Sequence, residues 1–258
     1  MKILFMDVDG TILSHSNNQV SPLTKKTIHN LRNQGVLVYI CTGRHTVELS
    51  NMPLDDVEVD GYITLNGALC FNEKEIIHQT PISKASIQKT VSYVEKHPFP
   101  IQFMEKGRIW VNMYNQNYKD GLDCIHTAYD PISNLHDALE HSIYMMVPWA
   151  NEDLLNPLLE QIQDVDSVRW NDYAVDCYDI NTGKNAGVNA VLRYHNLSKD
   201  DAVAIGDGEN DIPMFQACGI SIAMDNANDT VKNHATYVTK SVDDEGFTHA
   251  FTKILNEI

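Results

Sequence analysis

Positive charge is scarce in this sequence of 258 residues. Lysine and arginine together number 19, against 35 aspartate and glutamate residues, which gives a formal net charge of −16 at pH 7. Most of the surface would therefore repel nucleic acid and anionic membranes, and we expect neither as a partner. A small anionic ligand remains compatible, because salt screens charges beyond about 8 Å and a cation or lysine in a pocket would dominate locally.

Long apolar runs and paired cysteines are also missing. No stretch approaches the roughly 20 apolar residues of a membrane-spanning helix, and the first ten residues, MKILFMDVDG, are too acidic for a secretory signal. The five cysteines are odd in number and include no CxxC pair, so we expect reduced, mostly buried thiols and a cytoplasmic location. The histidines show none of the HxH or HExxH spacings typical of zinc sites.

Short apolar runs are present, and both ends of the sequence alternate strands with helices. Between the first two runs, Ser21 and Pro22 begin a helix for which we expect a buried stripe at Leu23, Thr27 and Leu31. This order indicates βαβ units and a parallel sheet. The predicted strands are 2–6, 36–41, 62–65, 202–205 and 220–223.

The middle of the chain has a different pattern. Two predicted hairpins, 101–113 and 167–178, lie among two predicted helices at 83–97 and 151–163 and a strand at 142–147. This pattern favours an α+β module with an antiparallel sheet and helices on one face. The predicted fold class is therefore α/β, with a Rossmann-like parallel-sheet core at 1–82 and 183–258 and an inserted α+β cap domain at 83–182. We expect the cap aromatics Trp110, Tyr114 and Trp170 in its core.

Two acidic segments follow predicted strands, at the edge where open parallel sheets bind ligands. Asp7 and Asp9 flank one residue after the first strand, and such a pair suits metal binding together with acid–base chemistry. Residues 206–211, Gly-Asp-Gly-Glu-Asn-Asp, offer oxygen ligands for a hard cation. Taken singly, the first segment is equally compatible with a turn cap, and the second with an acidic surface turn.

Two further segments suit an anion. Thr42 and Gly43 follow a strand and could cradle an oxyanion with a hydroxyl and backbone N–H groups. Lys184 begins a helix, where the dipole disfavours a cation, so we expect it to neutralise phosphate. A solvated surface lysine is the alternative. Arg44 is expected to be structural, bonded to carbonyls or acids of the core.

The order of these segments, aspartate pair, threonine, lysine and acidic loop, resembles the haloacid dehalogenase (HAD) superfamily of phosphotransferases. Three other segments look like the Cof-type phosphatases of that superfamily: Asn66-Gly67-Ala68, the run Ala-Met-Asp-Asn-Ala at 223–227, and Asp-Glu-Gly-Phe at 244–247. The resemblance covers 1–82 and 183–258, and all four motifs are present. It implies a HAD-like core carrying a cap.

The resemblance also implies roles. Asp7 would attack phosphorus and become an aspartyl phosphate, and Asp9 would protonate the leaving oxygen and then deprotonate water. The phosphate-binding residues would be Val8, Thr42, Gly43, Lys184 and Asn210. The magnesium-binding residues would be Asp7, Asp9 through its carbonyl, Asp207, and Asp211, which supports the loop and reaches the metal through water.

The predicted function is a Mg²⁺-dependent phosphatase for a small phosphorylated metabolite, sugar phosphates first, acting as a monomer or small homo-oligomer. Two alternatives stay open at this point. A phosphohexose mutase would need a bisphosphate and would release no phosphate, whereas a non-catalytic phosphate-binding protein would turn nothing over. The presence of both Asp7 and Asp9 favours an enzyme.

Overall fold

The predicted strands at both ends of the chain form one parallel sheet, with helices on both of its faces. The computed structural model describes residues 1–124, 128–169 and 174–254. In chain order the strands are β1 (Ile3–Met6), β2 (Leu37–Cys41), β3 (Gly61–Thr64), β4 (Leu69–Phe71), β5 (Ile76–Gln79), β6 (Ile101–Met104), β7 (Ile109–Val111), β8 (Met145–Pro148), β9 (Val165–Arg169), β10 (Val175–Asp179), β11 (Ala202–Gly206), β12 (Ile220–Ala223) and β13 (Tyr237–Val238). The α-helices are α1 (Pro22–Asn33), α2 (Thr46–Leu49), α3 (Lys84–Lys96), α4 (Gln116–Cys124), α5 (Asp137–Glu140), α6 (Glu152–Leu159), α7 (Lys184–Tyr194), α8 (Ile212–Ala217), α9 (Asp229–Asn233) and α10 (Gly246–His249).

The larger sheet has eight strands in the order β13-β12-β11-β1-β2-β3-β4-β5. Pairing is parallel from β13 to β3 and antiparallel for β4 and β5. The central strand β1 pairs in register with β11 on one side and β2 on the other, so their carboxyl ends lie at one edge. This sheet confirms the predicted α/β fold class.

Alternation along β1 explains why the strand is apolar throughout. Leu4 and Met6 belong to one buried cluster, which includes Ile28 of α1. Ile3 and Phe5 point the other way, into a second buried cluster that includes residues of α7 and α8. A strand covered on both faces has no solvent-facing position, so a continuous apolar run is what burial requires.

Helix α1 begins as predicted but buries a different face. Ser21 caps it by accepting a hydrogen bond from the Thr24 N–H at 3.0 Å, and Pro22 is the first helical residue. The prediction for Leu23 is wrong, because this side chain is 50% exposed. Positions exactly four apart drift by about 40° per step around a helix of 3.6 residues per turn. The buried face is therefore made by Thr24, Thr27, Ile28 and Leu31.

The second sheet is antiparallel, in the order β7-β6-β8-β10-β9. Helices α3 and α6 pack with Phe103 of β6 into one buried cluster. The prediction that helices cover only one face is wrong for α4. Gln102, which neighbours Phe103 and so points to the opposite face, donates to Asp130 at 2.5 Å, and Asp130 also accepts from Tyr118 of α4 at 2.8 Å.

By contacts the chain separates into two units. One, the core unit, comprises Met1–Gln79 and Gly183–Ile258, and the other, the cap unit, comprises Thr80–Thr182. That these units act as a catalytic core and a cap stays a prediction. Trp110 is buried as expected, whereas Trp170 and the turn residues Asn171 and Asp172 lie outside the described residues.

Across the described ranges, no helix is long and apolar enough to cross a membrane. All five cysteines are free thiols; Cys124 is exposed and the other four are buried.

Candidate active site

Three of the four predicted site segments begin where a parallel strand of the core unit ends. Asp7 follows β1, Thr42 comes directly after β2 and Asp207 after β11. Since these strands run in register, the three residues lie at the same edge of the sheet. Lys184, the first residue of α7, reaches this edge with its side chain.

Lys184 is the buried cation of the site. Its fully buried side chain donates from Nζ to Asp7 Oδ1 at 2.7 Å and to Asp211 Oδ1 at 2.6 Å. Burial alone would lower the pKa of the Lys184 ammonium, but the carboxylates of Asp211 and Asp7 outweigh it and raise that pKa. The ammonium therefore stays protonated, and the alternative of a solvated surface lysine is excluded.

The carboxylates around Lys184 carry more charge than one ammonium neutralises. Asp7, Asp207 and Asp211 each present one oxygen to a group whose atoms all lie within 4.8 Å of one another. Burial, with Asp211 nearby, raises the pKa of Asp7 well above its usual value although Lys184 opposes the shift. Burial also raises the pKa of Asp207 to about 6, and Asp211 adds to this effect.

This donor set fits a magnesium ion. Clustered carboxylate oxygens are what hard divalent cations prefer, and a cation would offset both the burial and the mutual repulsion that raise the pKa values of Asp7 and Asp207. Asp211 is the least available of the three, because its Oδ1 accepts from Lys184 and its Oδ2 accepts from the N–H groups of Asp207 and Gly208, both at 2.9 Å. These bonds fix the loop after β11, which suits a supporting role for Asp211.

Two residues hold the Asp207 carboxylate from opposite sides. Thr11 Oγ1 donates to Asp207 Oδ1 at 3.0 Å, and Asn226 Nδ2 donates to Oδ2 at 3.0 Å and to the Gly10 carbonyl at 2.9 Å. Gly10 has φ +76°, and a Cβ there would lie 2.2 Å from Asp207 Oδ2. Only glycine permits this approach.

The sequence pattern alone assigned no role to Thr11 or Asn226. Asn226 follows β12, a further parallel strand of the same sheet. A polar residue after the end of a buried parallel strand is the signal that would have drawn attention to it.

The other predicted catalytic residue, Asp9, is paired with Arg44. The Arg44 Nε donates to Asp9 Oδ2 at 2.7 Å, and Nη2 donates to Oδ1 at 2.9 Å. The pair raises the pKa of Arg44, with the hydrogen bond to Asp9 as the largest cause. Both carboxylate oxygens of Asp9 therefore accept hydrogen bonds from one guanidinium. Arg44 thus has the structural partner expected of it, an acid of the core.

The predicted phosphate-binding residues differ in what they expose. Val8 has a fully buried side chain, so only its backbone can contact a ligand. Within the described part of the chain, the N–H groups of Val8 and Gly43 donate to no protein acceptor, which leaves them available to an anion. The Thr42 side chain is buried, and its hydroxyl accepts from the Arg44 N–H at 3.2 Å. Asn210 is exposed and donates to Asn66 Oδ1 at 3.2 Å.

Comparison with known proteins gives this arrangement a family. The model of the haloacid dehalogenase-like hydrolases matches residues 4–251. YkrA of Bacillus subtilis (strain 168), named as a candidate phosphatase, is 26% identical over 254 residues, covering 98% of this chain and 97% of that protein. YwtE of the same organism, a 5-amino-6-(5-phospho-D-ribitylamino)uracil phosphatase, is 24% identical over 294 residues, covering 99% of each.

Solved structures agree with the family match. The HAD subclass IIB sugar phosphatase BT4131 superposes with a TM-score of 0.84 at 29% identity, covering 100% of both chains. BT1666 from Bacteroides thetaiotaomicron, described among the phosphatases of the superfamily, has a TM-score of 0.90 at 26% identity, covering 100% of this chain and 96% of that one. The chain therefore belongs to the haloacid dehalogenase-like hydrolases, as a phosphoric monoester hydrolase of the Cof-type phosphatases.

Proposed function

We propose that the protein is a Mg²⁺-dependent phosphatase of small phosphorylated metabolites, sugar phosphates first, in which Asp7 is the nucleophile. The observation that carries this proposal is the environment of Asp7. Its carboxylate is 7% exposed, follows the central strand and accepts from the protonated Lys184 at 2.7 Å. An ionised carboxylate needs no base to act as a nucleophile, and the buried ammonium stabilises charge where the phosphoryl group would arrive.

In the first step the Asp7 carboxylate attacks phosphorus. A bond forms between a carboxylate oxygen and phosphorus, and the bond from phosphorus to the leaving oxygen breaks. Asp9, which enters this step protonated and with one oxygen released from Arg44, gives its proton to the leaving oxygen. In the second step water attacks phosphorus, Asp9 takes the proton from water, and the Asp7–phosphorus bond breaks. The products are an alcohol and inorganic phosphate, and both aspartates return to their starting states.

The residues proposed to hold Mg²⁺ are Asp7, Asp207 and the Asp9 carbonyl, with Asp211 supporting the loop. When bound, the ion neutralises charge between the anionic nucleophile and the anionic phosphate. Thr11 and Asn226 orient Asp207 for this task through their hydrogen bonds to its two oxygens. Val8, Thr42, Gly43, Lys184 and Asn210 are proposed to bind the phosphoryl oxygens.

Two similarities support sugar phosphates as the first substrates to test. One relative is named a sugar phosphatase and another a phosphatase of a phospho-ribityl compound. Both named substrates carry phosphate on a polyhydroxylated carbon chain. We propose further that the protein works in the cytoplasm, as a monomer or small homo-oligomer, without nucleic acid or membrane partners.

A phosphate-release screen with Mg²⁺ over sugar phosphates, nucleotides and cofactor phosphates tests the proposal. We expect release from at least one sugar phosphate, at a higher kcat/KM than from any nucleotide. Isomerised sugar phosphate without free phosphate, in the presence of a bisphosphate, would indicate a mutase instead. Absence of turnover on every class would leave a phosphate-binding protein.

A further inference from the structure

The segment after β3 has an unusual backbone. Leu65, Asn66 and Gly67 all have positive φ, at 52°, 53° and 98°. Glycine adopts this left-handed region freely and asparagine tolerates it, but leucine rarely does. Three such residues in succession are retained only where the surroundings hold them.

The surroundings that hold this segment are the predicted phosphate-binding segments. The Asn66 N–H donates to the Thr42 carbonyl at 3.1 Å, and the Leu65 N–H donates to the Arg44 carbonyl at 3.2 Å. On the other side, a Cβ on Gly67 would lie 2.2 Å from the Gly183 carbonyl oxygen. The segment is therefore fixed between the loop after β2 and the start of α7.

This backbone places the Asn66 side chain beside two residues proposed to bind phosphate. A Cβ built on Gly43 would lie 3.1 Å from Asn66 Oδ1 and 3.3 Å from Nδ2. Asn210 Nδ2 donates to Asn66 Oδ1 at 3.2 Å. With Oδ1 accepting this bond, Nδ2 presents two N–H donors, and no acceptor among the described residues takes either of them.

We propose that Asn66 is a further phosphate-binding residue, whose Nδ2 donates to a non-bridging phosphoryl oxygen beside the Gly43 N–H. The inference rests on the proposed function in that the ligand is a phosphate ester. The strained backbone gives the side chain a fixed position, so little conformational freedom remains to be lost on binding. Asn210 fixes the Asn66 amide with its oxygen accepting, which leaves the Nδ2 donors for the anion.

Matched variants separate this role from a backbone role. Asn66→Asp keeps the shape and tolerates the left-handed conformation but replaces the donor by an anionic acceptor. Asn66→Gly keeps the backbone and removes the side chain. Asn196 is the control, because it is exposed, has φ 54° and follows the far end of α7, and its Asp and Gly variants change charge and backbone in the same way.

The measurement is the Kd of inorganic phosphate by calorimetry in Mg²⁺ buffer, beside the melting temperature of each variant. Asn66→Asp should weaken phosphate binding about tenfold or more, since a charge-assisted hydrogen bond is lost and repulsion is added. Asn66→Gly should weaken it severalfold, and both Asn196 variants should stay within about twofold of wild type. For two substrates with different leaving groups, Asn66→Gly should lower kcat/KM by the same factor, because both share the phosphoryl group.

The inference would be overturned if both Asn66→Asp and Asn66→Gly bound phosphate with a Kd within twofold of wild type. It would also be overturned if Asn66→Gly lowered kcat/KM by different factors for the two substrates, because Asn66 would then contact the leaving group. If Asn66→Asp does not fold, Asn66→Gly decides alone. Asn66-dependent phosphate binding without any ester hydrolysis would defeat the proposed function and leave this inference standing. Ester hydrolysis by the wild type, with unchanged phosphate binding in the Asn66 variants, would support the proposed function and defeat this inference.

Discussion

Arg44 and Asp9 form a bidentate ion pair, with Nε 2.7 Å from one carboxylate oxygen and Nη2 2.9 Å from the other. Both oxygens of the proposed acid–base residue are therefore occupied. The pair suits the second step of the proposed mechanism, in which Asp9 must be ionised to accept a proton from water. For the first step, one oxygen must leave Arg44 and take up a proton.

Arg44→Lys should lower kcat by about tenfold. This is less than the whole rate factor of roughly 10²–10⁴ that general acid–base catalysis contributes, because Asp9 itself is still present. Lysine keeps the charge but loses the fork that fixes both oxygens of Asp9. KM should change less than about threefold, because the Arg44 guanidinium binds Asp9 and not the phosphate.

Arg32→Lys is the matched control for this change. Arg32 forms a similar pair with Asp60, through Nε at 3.2 Å and Nη2 at 3.0 Å. Asp60 is the residue just before β3, so this pair lies at the amino end of that strand, whereas the candidate site lies at the carboxyl ends. The Arg32→Lys variant should therefore keep the wild-type kcat. A raised KM with unchanged kcat in Arg44→Lys would instead show that Arg44 binds substrate.

Magnesium should be required for turnover and should also stabilise the fold. At about a hundredfold excess over Kd, a ligand that binds only the native state adds about 2.7 kcal/mol, which raises the melting temperature by several degrees. Asp207→Asn should lose this rise together with activity. Calcium should inhibit, because its larger and looser coordination shell would misplace the carboxylates.

Glu209→Gln is the control for the magnesium effect, since Glu209 lies in the same loop but is exposed and accepts from Asn228. Calorimetric melting with and without Mg²⁺ measures the effect. Full activity in a chelator, or an equal rise in the Asp207→Asn variant, would exclude the proposed site.

Acid should destabilise the core unit partly through His195. Its Nε2 lies within hydrogen-bond distance, at 2.8 Å, of the hydroxyl of buried Tyr39, whose pKa burial raises to about 12, so that the phenol stays protonated. Burial lowers the pKa of His195, an effect that Asp60 partly opposes. Below about pH 6.5 the unfolded chain protonates this ring while the folded one resists, so stability is lost as pH falls through that value.

Denaturant unfolding at pH 7.5 and pH 5.5 tests this account. His195→Gln keeps a hydrogen-bonding group beside Tyr39 but does not titrate, and it should lose less stability on acidification than wild type. His29→Gln removes an exposed histidine and should keep the wild-type dependence. Identical pH dependence in all three proteins would show that His195 is not involved.

The parallel core could be predicted from the sequence, because a strand that is buried on both faces requires a continuous apolar run such as that of β1. The sequence was less informative about which helix faces are buried, because tertiary packing determines them. Leu23 is exposed because positions four apart drift around the helix, away from the buried face. Helix α4 lies on the second face of the cap sheet through a polar hydrogen-bond network, which hydrophobic periodicity does not predict.

For the site, the strand-end motifs predicted which residues meet, because parallel strands end together. Lys184 contacts Asp7 across 177 positions of sequence, and only the motif order indicated this. The pairing of Arg44 with Asp9 and the strained backbone at Leu65 depend on distances between loops, which a single sequence does not encode in any local pattern.

Asp7→Asn should fold normally and retain less than about a tenth of the wild-type activity, a barrier increase above roughly 1.4 kcal/mol. The amide keeps the shape of the carboxylate but is neither a nucleophile nor a good magnesium ligand. Asp200→Asn, at an exposed aspartate just before β11, is the matched control and should be fully active. Retained activity in Asp7→Asn would require another nucleophile.

The central claim, a phosphorylated Asp7, is tested most directly by mass spectrometry of the Asp9→Asn variant after reaction with p-nitrophenyl phosphate. This leaving group departs without a proton, whereas hydrolysis of the intermediate needs the base that the variant lacks, so the intermediate should accumulate. We predict one phosphoryl group per chain, located on Asp7 and released by hydroxylamine. Release of p-nitrophenolate without any phosphorylated residue, or with the phosphoryl group on a different side chain, would contradict the account.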